Sequence, residues 1–186
     1  RAGGLDAAFM SIYTPAALEA EGKSFETAEQ LIDLVENIVA TSGAKFAIAT
    51  SPADVRENFR QGIISLPMGM ENGSPIDGDL SRLEHFYDRG IRYVTLAHGL
   101  SNHISDSSYD ENRQWNGLSE FGREVVAEMN RLGIMIDVSH ISDEAFWQVM
   151  DLSAVPAIAS HSSARHFTPG WERNMADDMI RLLAKK

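Results

Sequence analysis

The sequence contains no cysteine. Disulfides and thiolate metal sites are excluded, so any metal must be held by His, Asp or Glu. No stretch approaches the roughly 20 apolar residues of a membrane span, and no signal-peptide pattern is visible. There is no phosphate-binding Gly loop with a Lys, no Ser nucleophile elbow and no Cys nucleophile. Positive charge is scarce: 16 Lys and Arg face 27 Asp and Glu, a net charge of −11. That charge is spread without a long acidic run and argues against nucleic acid and anionic membrane surfaces as partners. The absence of cysteine leaves the compartment open.

What is present suits an ordinary globular domain. The 186 residues are enough for one real core, and the 44% hydrophobic and 23% charged content is typical. The expectation is a single domain over residues 1–186.

Four apolar runs each end on a residue able to bind a metal or a substrate. Ile63 to Met70 runs into Glu71, Ile91 to Ala97 into His98, Ile134 to Ser139 into His140, and Pro156 to Ser160 into His161. The wider pattern alternates strand and helix. Strands are expected at 6–13, 45–50, 62–70, 91–97, 134–138 and 156–160, and helices at 25–41, 52–60, 78–89, 118–132, 142–152 and 175–185. Thr27 to Val39 carries a helical stripe of Leu31, Leu34, Val35, Ile38 and Val39. Ser51-Pro52 and Ser142-Asp143 are helix starts, and Gly90 and Gly133 stand where helices stop. Strand–helix repeats predict a parallel sheet with right-handed crossovers, and the continuous apolar strands predict burial on both faces.

In a barrel of parallel strands the C-terminal strand ends share one rim, where catalytic groups collect. His140 and His161 then form a pair of neutral imidazole ligands suited to zinc. Two hydrogen-bonded structural histidines are the competing reading. Glu71 at the same mouth is costly to bury unpaired; a metal resolves that cost, and so does an Arg partner or solvent. His98 reads as a further ligand or an oxyanion donor. Arg173 and Arg165 are candidate carboxylate clamps, with a plain surface role the commoner case. Asp137, inside its strand, is a candidate second partner for a ligand His. His85 reads as a surface or packing residue, His103 as a solvated loop residue, and His166 has no strand to aim it. The polar stretch Gly99 to Asn116 has no periodicity and reads as a functional loop.

Several of these segments resemble the renal (membrane) dipeptidase family. They are Arg131-Leu132-Gly133-Ile134-Met135-Ile136-Asp137-Val138-Ser139-His140, Ser142 to Trp147, and Pro156 to Arg165. The 21-residue separation of His140 and His161 agrees with the family pattern. Met70-Glu71-Asn72-Gly73 looks like the segment of its bridging glutamate, although members often carry a second Gly where Asn72 stands. Tyr93 to His98 resembles the segment of its substrate-site histidine, and Arg173-Asn174 the pair that meets the substrate carboxylate. The likeness covers most of 62–186 and is looser over the first 60 residues.

The resemblance implies a TIM-like (β/α) barrel with two zinc ions that hydrolyses dipeptides. His140 and His161 would hold one zinc and Glu71 would bridge to the other. A metal-bound hydroxide would attack, His98 would stabilise the oxyanion, and Arg173 would recognise the substrate carboxylate. The family's first strand carries a His-x-Asp pair, and none occurs in 1–186; the acidic residue expected after a late strand is missing too. The expectation is therefore an incomplete barrel lacking the first strand and the last strands, with one zinc ligand set incomplete. Two features agree: Arg1-Ala2-Gly3-Gly4 leads straight into the run Ala7 to Tyr13, and Ala184-Lys185-Lys186 closes a helical pattern. For the parent protein the resemblance favours an exported, periplasmic or membrane-associated location over the cytoplasm, and a homodimer is an open expectation. Two competitors stay in play. One is another metal-dependent amidohydrolase, acting on a lactone, a phosphotriester or a different amide. The other is an inert barrel piece serving in binding or assembly.

Overall fold

The computed structural model describes residues 3–186, and its strands and helices alternate as the apolar spacing requires. Six strands form: β1 (Met10–Tyr13), β2 (Phe46–Ile48), β3 (Ile64–Leu66), β4 (Met68–Glu71), β5 (Ile91–Thr95) and β6 (Met135–Asp137). Seven helices lie among and beyond them: α1 (Ala17–Ala20), α2 (Ser24–Thr41), α3 (Pro52–Gln61), α4 (Ser81–Asp88), α5 (Glu120–Leu132), α6 (Asp143–Leu152) and α7 (Asp177–Leu183). All strand pairings are parallel, in the orders β1-β4-β5-β6 and β2-β3. A parallel bridge from Ala7 to Ser65 joins the two sheets. The architecture is part of a TIM-like (β/α) barrel.

The helices begin and end where local chemistry dictates. Ser51, Ser119 and Ser142 each accept a backbone N–H in the first turn of α3, α5 and α6. Gly62 and Gly133 close α3 and α5 at φ of 75° and 79°, a left-handed conformation that glycine adopts without cost. The buried faces of α2, α4, α5 and α6 pack on one face of the sheet. Ile12, Met68, Met70, Val94 and Ile136 there share a core with Ile32, Val35, Phe86, Val125, Met129 and Val149.

The other face is the barrel interior. Strand alternation puts Ser11, Tyr13, Gly69, Glu71, Tyr93, Thr95 and Asp137 on it. Gly69 is required there, since a Cβ would lie 2.0 Å from the Tyr93 ring. This inner face is not closed throughout: Phe9 and Tyr13 are 48% and 37% exposed. Burial on both faces therefore holds for β4 and β5 but not for β1, whose residues alternate.

Three sequence expectations change. The run 62–70 forms two strands, because Pro67 has no N–H to continue the ladder. The run 156–160 makes only one bridge, Asp137 to Ile158. Pro156 again lacks a donor, and the N–H groups of Ser160 and His161 are taken by the Asp137 carboxylate and the Ser139 hydroxyl. Helix α4 starts later than expected, because Asp79 accepts from Ser81 N and Oγ and holds a turn ahead of it. The short helix α1 has no periodicity to announce it.

Candidate active site

The strand register explains why distant residues meet. Tyr13, Glu71, Thr95 and Asp137 lie in one row across β1, β4, β5 and β6, and Ile158 continues it. Glu71 is a member of that row. His98, His140 and His161 each stand three positions beyond one, after Thr95, Asp137 and Ile158. Equal overshoot from adjacent strands aims all three imidazoles at the same rim.

The side chains converge accordingly. Glu71 Oε1 lies 3.4 Å from His98 Nε2, 3.7 Å from His140 Nε2 and 3.2 Å from His161 Nε2. The Nε2 atoms of His140 and His161 are 2.8 Å apart. Glu71, His98 and His140 each offer a ligand atom within 4.8 Å of the others'. His161, which is more exposed, stands beside that group. The rings of His98 and His140 stack at 4.1 Å.

Charge is arranged around this cluster. His98 and the Ser11 hydroxyl, 2.7 Å away, hold the Glu71 carboxyl down at about 2 despite desolvation. Burial, and then the charge of Arg173, push the His140 imidazolium pKa down to about 3, so the ring is neutral. Arg173 donates from Nη2 to His140 Nε2 at 2.9 Å and to the His161 carbonyl at 3.0 Å, and from Nη1 to Ser162 Oγ at 3.0 Å. Burial lowers its own pKa. A guanidinium only donates, so His140 Nε2 accepts and its proton sits on Nδ1. That Nδ1 is buried without a partner.

His140 adopts φ 72°, a conformation unusual for a residue with a side chain. Its carbonyl accepts from Ser108 N at 2.7 Å, which ties the long loop to the site. Asn72, next to Glu71, also has positive φ, 85°. That accounts for the tolerance of Gly at this position. Buried Asn72 donates to Thr14 O and accepts from Asn102 Nδ2 and from Ser74.

Other candidates fall elsewhere. Arg165 is no free clamp: both its terminal nitrogens are held by the Asp143 carboxylate at 2.7 and 2.6 Å. His103 is not solvated; its Nδ1 lies 3.1 Å from Glu19, which also accepts from His103 N and Ser74 Oγ. His85 pairs with Glu29 on the surface. The loop Gly99 to Asn116 is ordered around Asp106, which accepts from the N–H groups of Gln114, Trp115 and Gly117. Sequence reasoning missed Ser11, Tyr13 and Tyr109. The first two carry a period-two signal on β1, and Tyr13 stacks on His98 at 4.7 Å. Tyr109 lies 5.9 Å from the His140 ring and sits in a loop with no periodicity to place it.

A parallel strand–helix sheet with three imidazoles and a carboxylate at its C-terminal rim is a donor set able to hold a metal ion. The family model "Membrane dipeptidase (Peptidase family M19)" matches residues 1–186, and the chain belongs to that family. An uncharacterized dipeptidase of Schizosaccharomyces pombe is 40% identical over 151 residues, 81% of this chain and 37% of its own length. Dipeptidase 3 of Mus musculus is 34% identical, covering 100% of this chain and 37% of its own length. A metallopeptidase from Rhodobacter sphaeroides, liganded with a phosphinate mimic of the dipeptide L-Ala-D-Ala, superposes with a TM-score of 0.88 at 27% identity. That match covers 98% of this chain and 60% of the other. The chain thus spans less than half the length of the curated relatives it matches.

Proposed function

We propose that this chain carries the metal- and substrate-binding rim of a zinc-dependent dipeptidase. The observation that carries the reading is the convergence of Glu71, His98, His140 and His161 on one point, from the ends of β4, β5 and β6 and the segment bridged at Ile158.

The donor set fits a metal. Arg173 already presents one positive group to His140 Nε2, which shows that this nitrogen offers a lone pair to a cation. Without cysteine, an imidazole–carboxylate set suits zinc. His140, His161 and Glu71 would hold the metal. Bound zinc would activate water and polarise the scissile carbonyl.

The chain's own residues supply the rest. His98 and then Ser11 keep Glu71 ionised, and the Ser11 hydroxyl orients it. His98, between Tyr13 and His140, is placed to donate to a developing oxyanion. Arg173 at the rim would take the free carboxylate of a dipeptide by two parallel hydrogen bonds. Recognition of a free carboxylate would confine cleavage to the bond beside a C-terminus.

The test is hydrolysis of Ala-Ala against its C-terminal amide, with zinc, by the whole protein. His140→Ala is expected to lower kcat/KM by at least about 100-fold. Arg173→Ala is expected to cost about 10- to 100-fold on the free dipeptide and little on the amide. Equal losses on both substrates would remove the dipeptide assignment and leave another amidohydrolase reaction.

A further inference from the structure

Behind His161 lies a second set of contacts that the proposed chemistry does not use. Asp137 is fully buried. Its carboxylate accepts four hydrogen bonds: Ser139 N at 3.1 Å and Ser160 N at 2.9 Å to Oδ1, Thr95 Oγ1 at 2.6 Å and Ser160 Oγ at 2.6 Å to Oδ2. The Ser160 hydroxyl also lies 2.7 Å from His161 Nδ1.

Proton counting decides the direction of this chain. An ionised carboxylate only accepts, and a serine hydroxyl has one proton to give. That proton goes to Asp137. The Ser160 contact with Nδ1 is then attractive only if Nδ1 carries the ring proton. We infer that Asp137 and Ser160 form a positioning relay that fixes His161 as the Nδ1–H tautomer, leaving the Nε2 lone pair facing Glu71 and His140. The proton on Nδ1 follows from these contacts; Nε2, 2.8 Å from His140 Nε2 and 3.2 Å from Glu71 Oε1, faces those acceptors as a bare lone pair only with a cation between them. The relay's purpose, presenting a ligand atom to a metal, rests on the reading in the preceding section.

His140 reaches the same state by another route, because Arg173 donates to its Nε2. With a metal bound, both rings would present unprotonated Nε2 atoms, which stand 2.8 Å apart. Only His161 has its tautomer set by a side chain bonded to Nδ1; the His140 Nδ1 has no partner. Thr95 extends the relay to the end of β5, so one buried carboxylate links three neighbouring strand ends.

Long-range ¹H–¹⁵N correlation on metal-free protein labelled with ¹⁵N-histidine reads the tautomer directly, at a pH where the rings are neutral. His161→Asn assigns the resonance. His161 is expected to show a protonated Nδ1; a bare Nδ1 overturns the relay. Ser160→Ala should move His161 toward the Nε2–H form and weaken zinc binding, measured by chelator competition, about 10- to 100-fold. Ser160→Thr, which keeps the hydroxyl, should restore both. An unchanged tautomer in Ser160→Ala overturns the proposal. A changed tautomer with unchanged zinc affinity upholds the relay and instead removes His161 from the metal ligands. Because the first measurement uses the unmodified protein, the result does not depend on the variants folding.

Discussion

At the scale of single residues, the proposed site sits where the backbone is least comfortable. His140 follows β6 by a turn and takes φ 72°. A left-handed conformation costs a residue with a Cβ about 1–2 kcal/mol. The conformation persists because it turns the imidazole into the rim while the carbonyl receives Ser108 N. Two truncations separate side chain from backbone. Both His140→Ala and His140→Gly should abolish zinc binding. His140→Gly should nonetheless be the more stable of the two, by about 1 kcal/mol in urea unfolding, since glycine alone is freed of the penalty. An alanine variant as stable as the glycine variant would show that no strain is stored there. The same conformation at Asn72 was hinted at by the Gly tolerated at its position. Nothing in the sequence around His140 signals positive φ, because the neighbouring Ser139 and Ile141 are ordinary strand and loop residues.

At the scale of elements, helices were legible and short strands were not. The periods of α2, α5 and α6, with the serine caps of α5 and α6, place them within about two residues, the ordinary margin of any helix boundary. Strands 62–70 and 156–160 read as continuous because apolar content says nothing about which N–H groups are free. Proline and the side chains of Asp137 and Ser139 decided that. Close packing is equally silent in sequence. Gly122 occupies the first turn of α5, where alanine has the better helix propensity. A Cβ there would lie 2.1 Å from the Ile104 carbonyl oxygen, the acceptor for Ser119 N at the helix start. Gly122→Ala should therefore destabilise the protein by about 1–3 kcal/mol, the usual cost of overpacking. A propensity-driven gain in urea midpoint would mean that the long loop yields to the helix.

At the scale of the whole molecule, the site is a product of register. The gathering of candidate ligands at the strand ends was readable, since each apolar run stops at Glu71, His98, His140 or His161. What was not readable is the row Tyr13–Glu71–Thr95–Asp137, because pairing partners are set by the folded sheet. The consequence concerns stability. A cation held by groups from β4, the β6 turn and the segment after Ile158 ties together strand ends that are otherwise joined by single ladders. It binds only the folded chain, so at 100 times its dissociation constant it should add about 2.7 kcal/mol. For a chain of this size each kcal/mol moves Tm by about 2–4 °C. Zinc in that excess should thus raise Tm by roughly 5–10 °C over chelator-treated protein, and the rise should vanish in a His140→Ala, His161→Ala double variant. A shift that survives in the double variant would place the zinc elsewhere, and no shift in either protein would mean that the four convergent side chains do not bind zinc in this chain.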